Sequence, residues 1–272
     1  MSMKGLVVSV ALFLAALAPV ACTRPEADPE PTRVLFVGNS LVYTANLPAV
    51  FDALGEANGQ SFHSEMLVQG GATLSQRVAD GSVSTVLERG RYDYVVLQER
   101  GGDLVCFDAA ACKPARDSIA AVQALAATAR EHGATPLFLG TYQGMQRASL
   151  QLLEGEAQAA TAAPMPLLPV SELYRYAVES RPDLPWHDAD GMHPGPQLAL
   201  LNAVLLYREL VGGYPDAVGF TVNAPMYTPR TRFFPPLLAS EKVELRGDTV
   251  SGHSYSTDAV TAARTLARSP RP

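Results

Sequence analysis

Short apolar runs alternate along the chain with longer segments in which apolar residues recur every three or four positions. The short runs, rich in valine and leucine, predict strands buried on both faces, and the longer segments predict helices with one apolar face. The predicted strands are residues 33–37, 61–68, 94–98, 135–141 and 166–170. The predicted helices are residues 47–58, 73–80, 82–89, 115–132, 149–163, 170–181, 196–211 and 257–267. This alternation indicates a mostly parallel sheet covered by helices, as in an α/β domain.

The first predicted strand leads into a turn that carries a candidate nucleophile. Gly38 and Asn39 suit a sharp turn, and this turn delivers Ser40 shortly before a segment with helical spacing. In a parallel sheet this position lies at the carboxyl edge, where a serine hydroxyl is exposed and the next helix points its amino end at a developing anion. Because Gly-Asn-Ser also occurs in ordinary turns, the turn alone assigns no function.

A second polar segment, near the other end of the chain, carries a candidate general base. Asp190 and His193 lie three residues apart in a loop bounded by Gly and Pro, just before an apolar helix. Such a loop can hold a carboxylate against an imidazole, which fixes the ring tautomer and stabilises the imidazolium form. The imidazole can then accept a proton from a serine brought in by the first turn. Taken alone, His193 can equally well be interpreted as a polar loop residue beside Pro194.

Composition excludes several classes of protein. The length of 272 residues fits one domain with extensions, and 47% hydrophobic with 18% charged residues is typical of a folded globular chain. A net charge of −6, without any basic cluster, argues against a nucleic-acid partner. Because no group of His, Cys and carboxylate residues has the spacing of a zinc site, the sequence indicates no metal, and it implies no cofactor.

Residues 1–22 have the pattern of an export signal. Lys4 gives a positive start, and the apolar run over residues 6–20 is too short for a comfortable membrane span. The run leads to Cys22 and is similar to a bacterial lipoprotein signal, in which the cysteine is lipidated and becomes the first mature residue. Pro19 departs from that pattern, which prefers an aliphatic residue there. An ordinary secretory signal is the alternative.

If the chain is exported, its mature part is expected beside a membrane and in an oxidising compartment. Residues 23–32, rich in Pro and acidic residues, predict an extended tether. A lipid on Cys22 would make the membrane a partner, and Thr23 in place of aspartate favours an outer-membrane lipoprotein facing the periplasm or the cell surface. In an oxidising compartment, Cys106 and Cys112 predict a small disulfide, with two free thiols as the alternative.

Together these features resemble the SGNH hydrolase superfamily, the GDSL-like lipases and esterases. Three blocks occur in the order of that family over residues 34–214. The first is Gly-Asn-Ser40, with Asn39 where the commoner pattern has aspartate. The second is Gln-Gly-Gly-Ala-Thr over residues 69–73, in which Gly71 is the better candidate for the backbone N–H of an oxyanion hole. The last is Asp190-x-x-His193.

The third block of the family departs from its usual form, Gly-x-Asn-Asp, whose asparagine completes the oxyanion hole. Here the third predicted strand leads into Gln98, Glu99 and Arg100, and the nearest likeness is to an exported subgroup with Leu-Gln-Glu at this point. A side-chain amide donates a hydrogen bond without carrying charge, so Gln98 is the candidate and Arg100 its rival. A strand-end residue that satisfies local backbone is the alternative interpretation of Gln98.

The resemblance implies a fold and a reaction. It implies a flavodoxin-like, three-layer α/β/α domain over residues 33–219, on which we expect residues 220–272 to pack as a C-terminal extension. It implies ester hydrolysis in which Ser40 attacks the acyl carbon, His193 acts as general base and then acid, and Asp190 orients His193. The expected substrates are short-acyl or carbohydrate O-acyl esters. The alternative is a catalytically inactive surface lipoprotein of the same fold that binds glycans.

Overall fold

A computed structural model describes residues 30–108, 110, 112–231, 233, 237–238 and 250–269. The predicted signal with Cys22 and residues 23–29 of the predicted tether lie outside the described residues. Among the helices that the structure describes, none is both long enough and apolar enough to cross a bilayer.

Five parallel strands form the central sheet of the described chain. They are β1 (Thr32–Gly38), β2 (Phe62–Val68), β3 (Tyr94–Leu97), β4 (Thr135–Leu139) and β5 (Leu167–Leu168). Their order across the sheet is β5-β4-β3-β1-β2, and a short antiparallel strand, β7 (Leu237–Leu238), pairs with the end of β2. Chain order reverses between β1 and β3, which is the switch point outside which doubly wound sheets bind their ligands. This architecture confirms the predicted α/β class.

Helices cover both faces of the sheet because both faces of its central strands are apolar. Val34 and Phe36 of β1 contribute to one buried cluster, and Leu35 and Val37 contribute to the other, as the side-chain alternation of a strand requires. The helices are α1 (Ser40–Tyr43), α2 (Leu47–Glu56), α3 (Leu74–Asp80), α4 (Ser82–Arg89), α5 (Lys113–Glu131), α6 (Gln146–Ala162), α7 (Ser171–Ser180), α8 (Pro196–Val211) and α9 (Thr257–Arg268). Helices α2, α7, α8 and α9 pack on the first face, and α3–α6 pack on the second. The molecule therefore has three layers.

The described part of the C-terminal segment contacts the domain at several points. Phe220–Met226 (β6) and Val250–Tyr255 (β8) form a two-stranded antiparallel ribbon, which the sequence pattern did not predict. The hydroxyl of Tyr255 donates a 2.9 Å hydrogen bond to the carbonyl of Pro196, at the start of α8. The backbone N–H of Ala45 donates a 3.0 Å hydrogen bond to the carbonyl of Tyr227. These contacts bring the residues that follow β6 beside the turn at Ser40.

Candidate active site

The turn after β1 places Ser40 at the carboxyl edge of the sheet. Its tightness requires glycine at position 38, because an added Cβ there would lie 2.6 Å from a methyl carbon of Val42 and 3.2 Å from the carbonyl oxygen of Gln98. Asn39 caps the four-residue helix α1, and its side-chain oxygen accepts a 3.0 Å hydrogen bond from the backbone N–H of Leu41. Ser40 is thus the first residue of a capped helical turn.

The loop before α8 brings a carboxylate and an imidazole to that serine. Asp190 Oδ2 lies 2.6 Å from His193 Nδ1, and His193 Nε2 lies 2.9 Å from Ser40 Oγ, across 153 positions of sequence. The other oxygen of Asp190 accepts backbone N–H groups from Met192 and His193, each at 2.9 Å. The structure therefore brings together all three residues that the sequence singled out as catalytic candidates.

Backbone constraints shape this loop. Gly191 has a φ of +69°, a left-handed conformation that suits glycine, and so allows the chain to turn between Asp190 and His193. At position 195 any Cβ would lie 2.2 Å from the carbonyl oxygen of Pro185, so only glycine fits there. The backbone N–H of Asp188 donates a 2.9 Å hydrogen bond to the carbonyl of His193, which closes the loop on itself.

The electrostatics of the loop favour a proton-accepting Nε2 on His193. Partial burial raises the pKa of Asp190, but hydrogen bonds from the backbone N–H groups of His193 and Met192 and from the His193 ring outweigh it and lower the pKa to about 2. The carboxylate is therefore ionised at neutral pH and acts only as an acceptor, so a neutral His193 ring carries its proton on Nδ1. Nε2 is then free to accept the proton of Ser40.

The second sequence block lies beside the Ser40 turn, where its backbone can stabilise an anion. The Asn39 amide nitrogen donates a 3.1 Å hydrogen bond to the carbonyl of Ala72, the residue after Gly71. Gly71 has a φ of +69°. Within the part of the chain that the structure describes, neither the backbone N–H of Ser40 nor that of Gly71 donates a hydrogen bond to another residue. Both groups remain available to an oxyanion.

Gln98 and Arg100 occupy different surroundings from those expected of an oxyanion donor. The Gln98 side chain is 2% exposed, and its amide nitrogen donates a 3.3 Å hydrogen bond to the carbonyl of Gly140, just after β4. The Arg100 guanidinium is held by Asp103 and reaches Gly71 only through the carbonyl, at 3.5 Å. The predicted part of Gln98 or Arg100 in the oxyanion hole stays a prediction, and the observed bonding of Gln98 matches the alternative interpretation.

Two tyrosine side chains support the His193 loop, and the sequence analysis did not identify them. The hydroxyl of Tyr142 donates a 2.7 Å hydrogen bond to the carbonyl of Met192. The ring of Tyr142 packs against that of Tyr174, with 4.5 Å between centroids, and the Tyr174 hydroxyl is hydrogen-bonded to His187 Nε2. Burial lowers the pKa of His187, although the negative charge of Asp190 acts in the opposite direction and raises it. The signal for Tyr142 was its place just after β4, at the same sheet edge as Ser40.

Two cavities adjoin the site, and the C-terminal segment lines both of them. The first, of about 360 Å³, lies between the His193 loop and the residues after β6, and the second, of about 510 Å³, lies beside the second sequence block. The first is lined by Asp188, Ala189, Asp190, Thr228, Pro229 and Arg230. The second is lined by Tyr43, Gln69, Gly70, Pro229, Arg230, Thr231 and Phe233. Pro229 and Arg230 are thus shared by both cavities.

Two further expectations concern cysteines and metals. Cys106 and Cys112 form a disulfide in the loop between β3 and α5, which confirms the predicted pairing. Among the residues that the structure describes, no group of three or more His, Cys, Asp or Glu side chains could hold a metal ion.

Comparison with known proteins gives structural likeness without sequence matches. No family model matches the chain, and no curated protein matches it. A protein from Slackia heliotrinireducens assigned to the SGNH hydrolases is 25% identical, with a TM-score of 0.53 over 66% of this chain and 100% of its own. A DUF4886 family protein from Bacteroides uniformis is 15% identical, with a TM-score of 0.59 over 88% of this chain and 93% of its own.

A variant of an acetyl-xylooligosaccharide esterase from Geobacillus stearothermophilus shares the fold at 14% identity, with a TM-score of 0.50 over 66% of this chain and 94% of its own. The chain has the three-layer α/β/α fold of the SGNH hydrolases.

Proposed function

We propose that this protein is a serine ester hydrolase. The observation that carries the proposal is the continuous hydrogen-bond chain from Ser40 Oγ through the His193 ring to Asp190, with donor–acceptor distances of 2.9 and 2.6 Å. This chain of serine, imidazole and ionised carboxylate is the arrangement that activates a hydroxyl for attack on an acyl carbon. It lies at the sheet edge where ligands of such folds bind.

The proposed reaction uses each group at a defined atom. Ser40 Oγ attacks the acyl carbon while His193 Nε2 takes the hydroxyl proton, and Asp190 stabilises the imidazolium that forms. The backbone N–H groups of Ser40 and Gly71 hold the oxyanion of the tetrahedral intermediate. As the intermediate collapses, His193 gives its proton to the departing alcohol. Water then repeats the sequence on the acyl-enzyme, so that the acid is released and Ser40 is regenerated.

The proposed substrates are short-acyl esters or O-acyl esters of carbohydrates. The polar side chains that line the adjoining cavities, Asp188 and Arg230 in one and Gln69 in the other, suit a hydroxyl-rich alcohol better than a long acyl chain. The acetyl-xylooligosaccharide esterase that shares the fold acts on a substrate of this class. The reaction as proposed needs no cofactor.

We further propose that the protein acts in the cell envelope, anchored by a lipid on Cys22 in the outer membrane. The proposal rests on the apolar run that leads to Cys22 and on the disulfide of Cys106 and Cys112, which suits an oxidising compartment. Fractionation of cells that express the wild type and Cys22→Ser tests it. The variant should leave the membrane fraction, whereas unchanged fractionation would contradict the anchor.

Labelling and turnover test the proposed reaction together. The purified protein should hydrolyse p-nitrophenyl acetate and acetylated xylo-oligosaccharides, and a fluorophosphonate should modify Ser40 with loss of activity. Ser40→Ala should abolish both, with the melting temperature nearly unchanged, because the hydroxyl contributes little to packing. A wild type that is neither labelled nor active, yet binds oligosaccharides, would instead be the glycan-binding protein of the alternative hypothesis.

A further inference from the structure

A buried carboxyl group lies directly behind the second sequence block. Glu99 is 1% exposed, although it follows the end of β3 at the same sheet edge as Ser40. Its oxygens accept the backbone N–H of Leu74 at 3.2 and 3.4 Å and the backbone N–H of Arg100 at 2.8 Å. Burying a carboxyl group is costly unless hydrogen bonds compensate for the lost water. The bonds of Glu99 are therefore a specific structural arrangement and not an incidental surface contact.

The Leu74 contact fixes the point where the second block joins a helix. Leu74 is the first residue of α3, and Thr73 caps that helix through a reciprocal pair of hydrogen bonds with Gln76. The first N–H groups of a helix have no partner inside the helix, so Leu74 needs an external acceptor, and Glu99 supplies it. Glu99 therefore holds the backbone of the loop at Leu74, which is three residues after Gly71.

The orientation of Gly71 is fixed only weakly by its own contacts in the described chain, since the Arg100 guanidinium reaches its carbonyl at 3.5 Å, the long limit of a hydrogen bond. A Cβ added at Gly71 would meet no atom within 4 Å, and its conformation is left-handed. The loop is held instead at residues on either side of the Gly71–Ala72 peptide. Asn39 binds the carbonyl of Ala72, Glu99 binds the N–H of Leu74, and the Gln69 side chain accepts a 2.7 Å hydrogen bond from Arg77. These contacts hold the chain on both sides of Gly71.

We propose that Glu99 is a positioning residue for the oxyanion hole: by holding the backbone of Leu74 and Arg100, it keeps the N–H of Gly71 directed at the developing oxyanion. The inference rests on the proposed ester hydrolysis and adds a group that never touches the substrate. Such a residue affects the transition state more than the bound ester, because the oxyanion exists only in the transition state and intermediate.

The first test replaces the acceptor. Glu99→Leu keeps most of the volume of the side chain but removes both acceptor oxygens, so the backbone N–H groups of Leu74 and Arg100 lose this partner. We expect kcat for p-nitrophenyl acetate to fall roughly 10- to 100-fold, which is less than the loss of about 10²–10³ for removing an oxyanion donor outright. KM should stay within about threefold of the wild type, as expected for an interaction made only in the transition state.

The second test removes the donor and carries its own control. Leu74→Pro deletes the N–H that Glu99 accepts, at the first position of a helix, where proline is well tolerated. Leu74→Ala truncates the same buried side chain but keeps the N–H. The kcat of Leu74→Pro should therefore lie about tenfold or more below that of Leu74→Ala, with similar KM values.

A third variant controls for loss of stability. Asp52 of α2 is a half-buried carboxyl group that accepts a backbone N–H and a hydroxyl, both from Ser64, on the opposite face of the sheet from α3. Asp52→Leu removes both acceptor oxygens in the same way and should lower the melting temperature as Glu99→Leu does, but leave kcat unchanged. The inference is overturned if Glu99→Leu keeps the kcat of the wild type, or if Asp52→Leu loses as much kcat. A wild type with no hydrolysis and no labelling at Ser40 would overturn the proposed function, and the inference with it.

Discussion

The side-chain amide of Asn39 donates a 3.1 Å hydrogen bond to the carbonyl of Ala72, and its oxygen accepts the backbone N–H of Leu41. One side chain thus joins the Ser40 turn to the loop that carries Gly71. An aspartate at this position could accept from Leu41 but could not donate to Ala72. The asparagine of this chain therefore has a bonding role that the commoner aspartate cannot fill with the same partners.

Asn39→Asp should lower both stability and turnover. The side chain is 1% exposed, so a carboxylate there would face a carbonyl oxygen inside the protein, at a cost of about 1–3 kcal/mol in the free energy of unfolding. Loosening the Gly71 loop should also reduce kcat. Urea denaturation and p-nitrophenyl acetate turnover measure the two effects. Equal stability of variant and wild type would show that the Ala72 bond contributes nothing.

Asp190→Asn should reduce kcat far more than Asp188→Asn. Of the two aspartates, Asp190 is the one that hydrogen-bonds to the His193 ring, and an amide in its place removes the charge that stabilises the imidazolium and can reverse the tautomer. Losses for this kind of change reach about 10⁴-fold elsewhere. Asp188 lines the adjoining cavity, so its variant should change KM more than kcat. Steady-state kinetics decide the matter, and a severe kcat defect in Asp188→Asn with a mild one in Asp190→Asn would reverse the assignment.

Glu156→Gln should make the protein more stable at alkaline pH. Burial raises the pKa of Glu156 to about 8, partly offset by hydrogen bonds from the backbone and hydroxyl of Thr141. With a folded-state pKa above the unfolded value, the folded protein binds more protons between about 4.5 and 8, and the free energy of unfolding falls as pH rises through that window. The glutamine variant lacks this dependence. The free energy of unfolding, measured by urea denaturation at pH 5 and pH 8, should change less between the two pH values for the variant than for the wild type. Equal changes would contradict the burial argument.

Arg230→Ala should weaken the binding of carbohydrate esters selectively. Arg230 lines both cavities beside the site, so it is placed to contact the alcohol part of a large substrate. We expect KM for acetylated xylo-oligosaccharides to rise about tenfold, the effect of losing one or two hydrogen bonds, with little change for p-nitrophenyl acetate. Arg181→Ala is a control, because Arg181 lines neither of the two cavities. Equal KM changes for both substrates would exclude a role in substrate choice.

The sequence alone predicts the architecture closely. The five predicted strands of the sheet and the eight predicted helices agree with the structure to within three residues at each end, because their apolar patterns are long and regular. Helix α1 was not predicted, since four residues are too few for a periodic signal and its start depends on the Asn39 cap. The ribbon of β6 and β8 was also missed, because its pairing depends on residues far apart in sequence.

The site was predictable where it depends on local spacing. Asp190 and His193 are close in sequence, and Ser40 follows a strand whose edge the fold determines. The partner of Gln98 was not predictable, since the carbonyl of Gly140 belongs to another strand end whose distance no sequence pattern gives. The contact of Tyr142 with the carbonyl of Met192 was not predictable for the same reason.

The hydrogen bond from the N–H of Ala45 to the carbonyl of Tyr227 bears on how the protein reaches its native state. It pairs the segment just after Ser40 with a residue made much later by the ribosome, so the entropy of closing a very long loop must be lost before this contact forms. A nascent chain that stops before Tyr227 carries the serine, the histidine and the aspartate but leaves the Ala45 N–H without this acceptor. Completion of the two cavities beside the Ser40 turn, which residues after Tyr227 line, is therefore a late event in folding.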